Sequence, residues 1–109
     1  MYSLDGNTIK MTRGDTVNVK FPLYLDGDLY EPSGSDVVVF MVNTSDHAGN
    51  PIISKTIPNE TGVLTLASAD TKDLEFGTYF YDVQITFGES GAVLTYVNKA
   101  KLKITWEAD

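Results

Sequence analysis

The side chains of this chain that could carry out chemistry are few and scattered. The single histidine, His47, has Asp46 as its one acidic neighbour, and a metal centre or a nucleophile–base pair needs more partners. Asp26, Asp28 and Glu31 offer oxygen ligands at short spacing, but they lack the ligand series and the pivot glycine of a calcium loop. A hairpin turn explains these three carboxylates better. We therefore expect no catalytic residue, no metal site and no cofactor.

One tripeptide has a known meaning in other proteins. Arg13-Gly14-Asp15 is the sequence that integrins bind when it lies at the tip of an exposed loop. Here it abuts the start of a long predicted strand, where Gly14 supplies a turn or bulge and Asp15 caps the backbone. The sequence therefore favours a structural role for this tripeptide over adhesion.

Composition argues against several classes of protein. The 109 residues include no cysteine, which excludes disulfides and thiolate metal sites. The net charge of −7 argues against binding to nucleic acid or to anionic membranes, because phosphate binding depends on clustered Lys and Arg. We find no export signal and no apolar run of roughly 20 residues. The length suits one domain that spans residues 1–109.

Alternating hydrophobicity gives the clearest structural signal. Every second residue from Tyr79 to Phe87 is apolar and most of the intervening residues are polar, as in a half-buried strand. Turn signals recur about every eight to twelve residues, the spacing of a sandwich or barrel. The sequence therefore predicts an all-β fold, an antiparallel β-sandwich of roughly seven to eight strands. Ser68 has helix-start chemistry, but its surroundings predict only a single helical or 3₁₀ turn.

Other strands can be predicted with their buried faces. From Thr16 to Leu25 the odd-numbered residues should face the core, and Pro22 places this strand at an edge or a bulge. In the last segment, every second residue from Ala100 to Trp106 should point inward. The phase of the strand from Ile52 to Ile57 stays open.

The segment from Asp36 to Asn43 is apolar at nearly every position, so both of its faces need cover. We assign Val38, Phe40 and Val42 to the core. The outer face then carries Val37, Val39 and Met41. If these three side chains and Phe80 are exposed together, they approach the patch size that marks an interface. We expect an oligomer or assembly contact there, and the alternative is a loop or a chain terminus folded over that face.

Two tyrosines near the start of the central strand resemble the tyrosine corner of immunoglobulin-type domains. Tyr79 is the corner candidate, whose hydroxyl would bond back to the preceding connection, and Tyr81 occupies the place often held by cysteine. A buried tyrosine suits this role because its ring fills the core while its hydroxyl satisfies a backbone group. The alternative is that both are ordinary core tyrosines.

The order of segments resembles the immunoglobulin-like domain of bacteriophage baseplate upper proteins and related tail or virion structural proteins. The resemblance covers nearly the whole chain and contains no catalytic motif. It is carried by residues 11–16 (MTRGDT), 36–42 (DVVVFMV), 69–74 (ADTKDL), 77–85 (GTYFYDVQI) and 100–104 (AKLKI).

The resemblance implies a non-enzymatic phage or prophage structural module that acts in baseplate or tail assembly by contact between proteins. Its partners would be other virion proteins or copies of itself, and it would be found in the virion after assembly in the bacterial host cytoplasm. The alternative function is a carbohydrate-binding or cell-surface adhesion module. Such a module would use exposed aromatic residues as stacking platforms for glycans, with Tyr24, Tyr30, Tyr96 and Trp106 as the candidates.

Overall fold

The computed structural model describes residues 2–5, 7–44 and 51–106, and in them the chain is all-β apart from one short helix. The strands in this part of the chain are β1 Tyr2–Asp5, β2 Thr8–Thr12, β3 Val17–Lys20, β4 Leu23–Leu25, β5 Asp28–Tyr30, β6 Val37–Asn43, β7 Ile53–Ile57, β8 Val63–Leu66, β9 Gly77–Thr86 and β10 Val93–Thr105. The helix α1 spans Ser68–Thr71. Its single turn is what the sequence predicts.

The strands form one large sheet and two ribbons. The main sheet has six strands in the order β1-β2-β10-β9-β6-β7, while β3 pairs with β8 and β4 pairs with β5. All these pairs are antiparallel except β10 with β2, which run parallel. The expectation of a purely antiparallel arrangement is therefore wrong at this pair. This pair brings the second strand beside the last one, a long-range pairing that local periodicity does not reveal.

The core follows from the alternation of apolar side chains. In β6, and in β9 from Tyr81 onward, every second residue is buried, including Val83, Phe40 and Val42. The ribbon β3–β8 contributes its own alternating residues to the same buried cluster, with Val17 as one of them. The predicted core positions in β6 are thereby confirmed, and Leu64 and Leu66 of β8 are buried in the same cluster.

Phe21 joins the β3 segment to the main sheet through aromatic contacts. Its ring centroid lies 6.0 Å from that of Phe40 and 5.6 Å from that of Tyr81, and the latter two rings are 5.0 Å apart. Such ring pairs contribute about 0.5–1.5 kcal/mol each beyond area burial. This aromatic cluster stabilises the packing between elements that are distant in sequence.

The predicted number of strands was too low, for two physical reasons. The segment from Thr16 to Leu25 is two strands, because it breaks at Pro22, which has no N–H to continue a ladder. The sequence does not predict β1, because this segment comes before the first strong turn signal. Its antiparallel pairing with β2 is seen only in the folded chain.

For two segments the structure shows which residues are buried where the sequence pattern does not. In β7 the buried residues are Ile53 and Ile57, whereas Ile52 is exposed. At the end of β10 the prediction for Trp106 is wrong, since it is 76% exposed. Trp106 lies one residue beyond the last strand, so the alternation no longer fixes its direction.

Candidate functional site

The outer face of the main sheet carries a stripe of apolar side chains. Val37 is 45% exposed, while Val39, Met41 and Phe80 are half-buried. We call these four residues the apolar stripe. Each keeps part of its surface open to solvent, whereas Val38 and Phe40, their neighbours in β6, are buried in the core. The assignment of inner and outer residues in β6 therefore agrees with the sequence pattern.

Strand register makes the stripe continuous. Met41 lies opposite Asp82 and Asn43 lies opposite Phe80, so Phe80 is the diagonal neighbour of Met41 across β6 and β9. Diagonal partners in an antiparallel pair are about 7–8 Å apart, within reach of an aromatic ring. The sheet thus brings the four predicted residues together on one face.

The structure adds Val93 to this surface. It lies opposite Thr86 in β9, and Thr86 lies opposite Val37 in β6. Val93 is 57% exposed and extends the apolar surface by one strand. The two register shifts of β10 add one residue each and cancel, so Val93 keeps the outward direction of Lys101 and Lys103, and its place beside Val37 follows only from the pairing of three strands in the folded chain.

Polar and charged side chains border the stripe, among them Asp82 opposite Met41. Thr56 and Gln84 lie on either side of Val39 in the register of β7, β6 and β9, and Lys101 lies opposite Phe80. Lys103 and Lys10 are register partners in β10 and β2, on the same side of the sheet as Lys101. An apolar centre with a polar rim is the usual composition of a protein–protein interface.

The two tyrosines of β9 use their hydroxyls in different ways. Tyr79 Oη donates a 2.8 Å hydrogen bond to the carbonyl of Glu75, four residues earlier. Tyr81 is 1% exposed, and its Oη donates to the carbonyl of Asn7. Burial raises the pKa of Tyr81 above its ordinary value. Each hydroxyl therefore ties β9 to a different connection in the chain.

The Arg13-Gly14-Asp15 tripeptide contacts the connection that precedes β9. Arg13 places its guanidinium carbon 4.2 Å from the ring centroid of Phe76 and donates a 3.3 Å hydrogen bond to the carbonyl of Leu74. Gly14 has φ of +84° and donates its N–H to Thr71 Oγ1 at 2.9 Å. The arginine is thus engaged within the chain, as a structural role requires.

A cleft of about 570 Å³ opens beside the inner face of the main sheet. It is lined by Val38 and Ile57 of that sheet, by Phe21 and Leu29, and by the turn after β7, among others. Its volume lies within the range of small-molecule sites. No motif predicted it, because its walls come from five separate segments that are adjacent only in the folded chain.

Asp36 holds the loops of this cleft in place. Its carboxylate accepts hydrogen bonds from the Tyr30 hydroxyl, from Ser33 N at 3.2 Å and from Gly88 N at 2.9 Å. Its carbonyl accepts a 2.8 Å bond from Asn59 Nδ2. The bond from Tyr30, followed by those from Gly88 and Ser33, lowers the pKa of Asp36, and the same bond raises the pKa of Tyr30.

The other candidate residues are not brought together. Asp26 has a positive φ of 51° in the turn between β4 and β5, and no cluster of carboxylates or histidines able to hold a metal occurs among the described residues. His47 lies outside them. Of the four aromatic platforms, Tyr30 and Tyr96 line the cleft, whereas Trp106 stacks on Phe76 with ring centroids 4.2 Å apart. Tyr24, 62% exposed, lies outside the cleft lining.

Comparisons with protein-family models, with curated proteins and with solved structures find no match to this chain. In the part of the chain that the structure describes, no helix is long and apolar enough to cross a membrane.

Proposed function

We propose that this chain is a non-enzymatic structural module of a phage or prophage virion, which docks in the baseplate or tail through the apolar stripe. The observation that carries the proposal is the continuous stripe of Val37, Val39, Met41 and Phe80 on the outer face of the main sheet. Apolar surface of this kind is stabilised by burial against a partner. The partner would be another virion protein or a second copy of the chain.

Strand order supports an immunoglobulin-like β-sandwich as the scaffold of this module. The order β10-β9-β6-β7 corresponds to the G, F and C strands of such a domain with one added strand, and the pairing of β3 with β8 corresponds to its B and E strands. The 2.8 Å bond from Tyr79 to the carbonyl of Glu75 supports a tyrosine corner at the start of β9. Both observations fit the family that the sequence resembles.

The way the module would act follows from its rigidity. Long ladders of backbone hydrogen bonds hold β9 between β10 and β6. The stripe is therefore preorganised, and little conformational entropy is lost on docking. Specificity would come from the shape of the stripe and from the polar and charged groups at its border. No reacting group is needed for this function.

Replacing Val39 by aspartate tests the docking surface. A carboxylate in the middle of the stripe would lose its water on association. Burying an unpaired ion costs roughly several kcal/mol of binding free energy. We expect the wild-type chain to sediment as an oligomer or to form a complex with a neighbouring virion protein, and the V39D variant to lose that association. Tyr24→Asp is the matched control, because it places the same charge at an exposed aromatic residue away from the stripe.

Two results would contradict the proposal. If V39D keeps the mass and the partner binding of the wild type while its far-UV circular dichroism shows a folded chain, the stripe is not the docking surface. If mass spectrometry of purified particles from the source strain never detects the chain after prophage induction, the virion assignment is wrong, whatever the outcome for the stripe.

A further inference from the structure

The cleft has walls that are fixed before any ligand arrives. On one side, Asp36 ties down Tyr30 and Ser33 through its carboxylate. On the other side, Asn59 is bonded to the carbonyl of Asp36, and the turn after β7 is closed by a 2.8 Å bond from Gly62 N to the carbonyl of Pro58. A ligand entering such a cleft does not have to order the loops, which is the usual state of small-molecule sites.

Aromatic rings make up part of the lining. Phe21, Tyr30 and Tyr96 all line the cleft, and all three are half-buried. Phe21 is supported by the rings of Phe40 and Tyr81, and Tyr30 packs edge-to-face against Phe87 with centroids 5.5 Å apart. Phe21 and Tyr30 are thus held from inside the fold, and all three rings keep part of their surface exposed.

The charged groups of the lining favour a cation over an anion. Glu31 and Glu60 are exposed at the cleft, with Lys20 as the basic residue of the lining. Among the described residues, neither glutamate forms an ion pair or a hydrogen bond with another side chain, so both carboxylates are available to a ligand. The chain as a whole carries a net charge of −7, and this field also attracts cations.

From these observations we propose that the cleft binds an organic cation, a quaternary or alkylated ammonium group, between the aromatic side chains and the two carboxylates. The ring faces attract the cation through their quadrupoles, and the glutamates neutralise its charge at the mouth of the cleft. The ammonium group could belong to a free small molecule or to a lysine side chain of a protein. The proposal is independent of docking through the apolar stripe.

The test is an NMR titration of the ¹⁵N-labelled chain with choline and with its neutral isostere, 3,3-dimethylbutan-1-ol. We expect choline to give saturable shifts in the amide signals of residues 20–33 and 57–62. Binding of the isostere should be about tenfold weaker, since a partly desolvated cation–π contact contributes that order of affinity. Binding of choline should also weaken as ionic strength rises, because salt screens the carboxylates.

Two double variants distinguish the effect of the cleft carboxylates on choline binding from the effect of the net charge of the chain. The double variant E31Q/E60Q should weaken choline binding several-fold, because it removes both charges from the cleft with little change of shape. D73N/E75Q is the matched control, since it changes the net charge equally at exposed residues near the start of β9. A thermal melt of each variant checks that the fold is intact.

The source of the cation follows from a second pair of probes. Tighter binding of a short lysine-containing peptide than of choline would assign the cleft to a protein side chain, and the reverse order would assign it to a small molecule. Three outcomes would overturn the proposal: equal binding of choline and its isostere, equal loss of binding in the two double variants, or saturable shifts with a neutral disaccharide such as cellobiose and none with choline.

Discussion

Replacing Tyr81 by phenylalanine tests how one buried hydroxyl couples the central strand to the segment before β2. The substitution keeps the ring in contact with Phe21 and Phe40 and removes only the group that bonds to the carbonyl of Asn7. A hydrogen bond of this kind contributes about 0.5–1.5 kcal/mol to the free energy of unfolding. At neutral pH we therefore expect Y81F to be less stable than the wild type by about 1 kcal/mol.

The difference should shrink in alkaline solution. Burial raises the pKa of Tyr81 in the folded chain, whereas in the unfolded chain a tyrosine ionises near pH 10. The stability that this residue contributes is fully present below pH ~10 and is lost as the pH rises toward its folded pKa. By about pH 11 the ionisation of one unfolded tyrosine costs the wild type about 1.4 kcal/mol, a cost that Y81F does not have. The two proteins should then be nearly equal in stability.

Urea unfolding curves at neutral pH and at about pH 11 measure both quantities, provided that the slopes of the transitions agree. Tyr24→Phe is the control at neutral pH, where an exposed ring is expected to change the free energy of unfolding by less than about 0.5 kcal/mol. A difference in free energy of unfolding between wild type and Y81F that stays constant from neutral to alkaline pH would refute this reasoning. Ionisation of Tyr81 would then not oppose folding.

Two further predictions concern the loop around Asp36. Because its folded pKa is lowered, Asp36 contributes stability that is present above pH ~4 and lost as the pH falls through the folded pKa, so D36N should be less stable at neutral pH and should show a weaker acid dependence in urea titrations. An acid profile identical to the wild type would contradict this. For Gly88, an added Cβ would lie 1.8 Å from Ser35 Oγ and 2.7 Å from the Ser35 carbonyl carbon. G88A should therefore lower the free energy of unfolding by about 1–3 kcal/mol in thermal or urea unfolding, and wild-type stability would show that the hairpin can move away.

Alternation in the sequence is enough to predict which way most strands face. In β8 the polar Thr65 separates Leu64 from Leu66, so the period of two identifies the buried face, whereas β6 is apolar at nearly every position and its inward residues are assigned from the polar turn that precedes it. The reason is that a slip of one residue would move a whole apolar set to the opposite face, so register is strongly specified by burial. The inward residues of these two strands can therefore be assigned from the amino-acid sequence alone.

Other features depend on tertiary contacts that hydrophobic alternation does not predict. The two register shifts of β10 each add one residue to this strand, so the alternation is reversed only between them, where Val97 is buried although it lies three residues before the inward Ala100. Lys99 lies in this irregular stretch with φ of +54°, and its N–H bonds to Asp82 Oδ1 at 2.7 Å. A tertiary hydrogen bond from another strand thus supports a conformation that no local rule predicts at a lysine. The cleft is of the same kind, since its walls meet only after folding.

The apolar stripe and the cleft lie on opposite sides of one sheet, so they can be tested independently. Val39 belongs to the stripe and its neighbour Val38 lines the cleft, because successive residues of a strand point to opposite faces. V39D should therefore leave the choline response unchanged, and E31Q/E60Q should leave the sedimentation of the chain unchanged. If one of these variants abolished both behaviours, a change in the sheet itself would be the cause. In that case neither surface could be assigned from that variant, and the substitution would have to move to the rim of the sheet, where Val93 remains accessible.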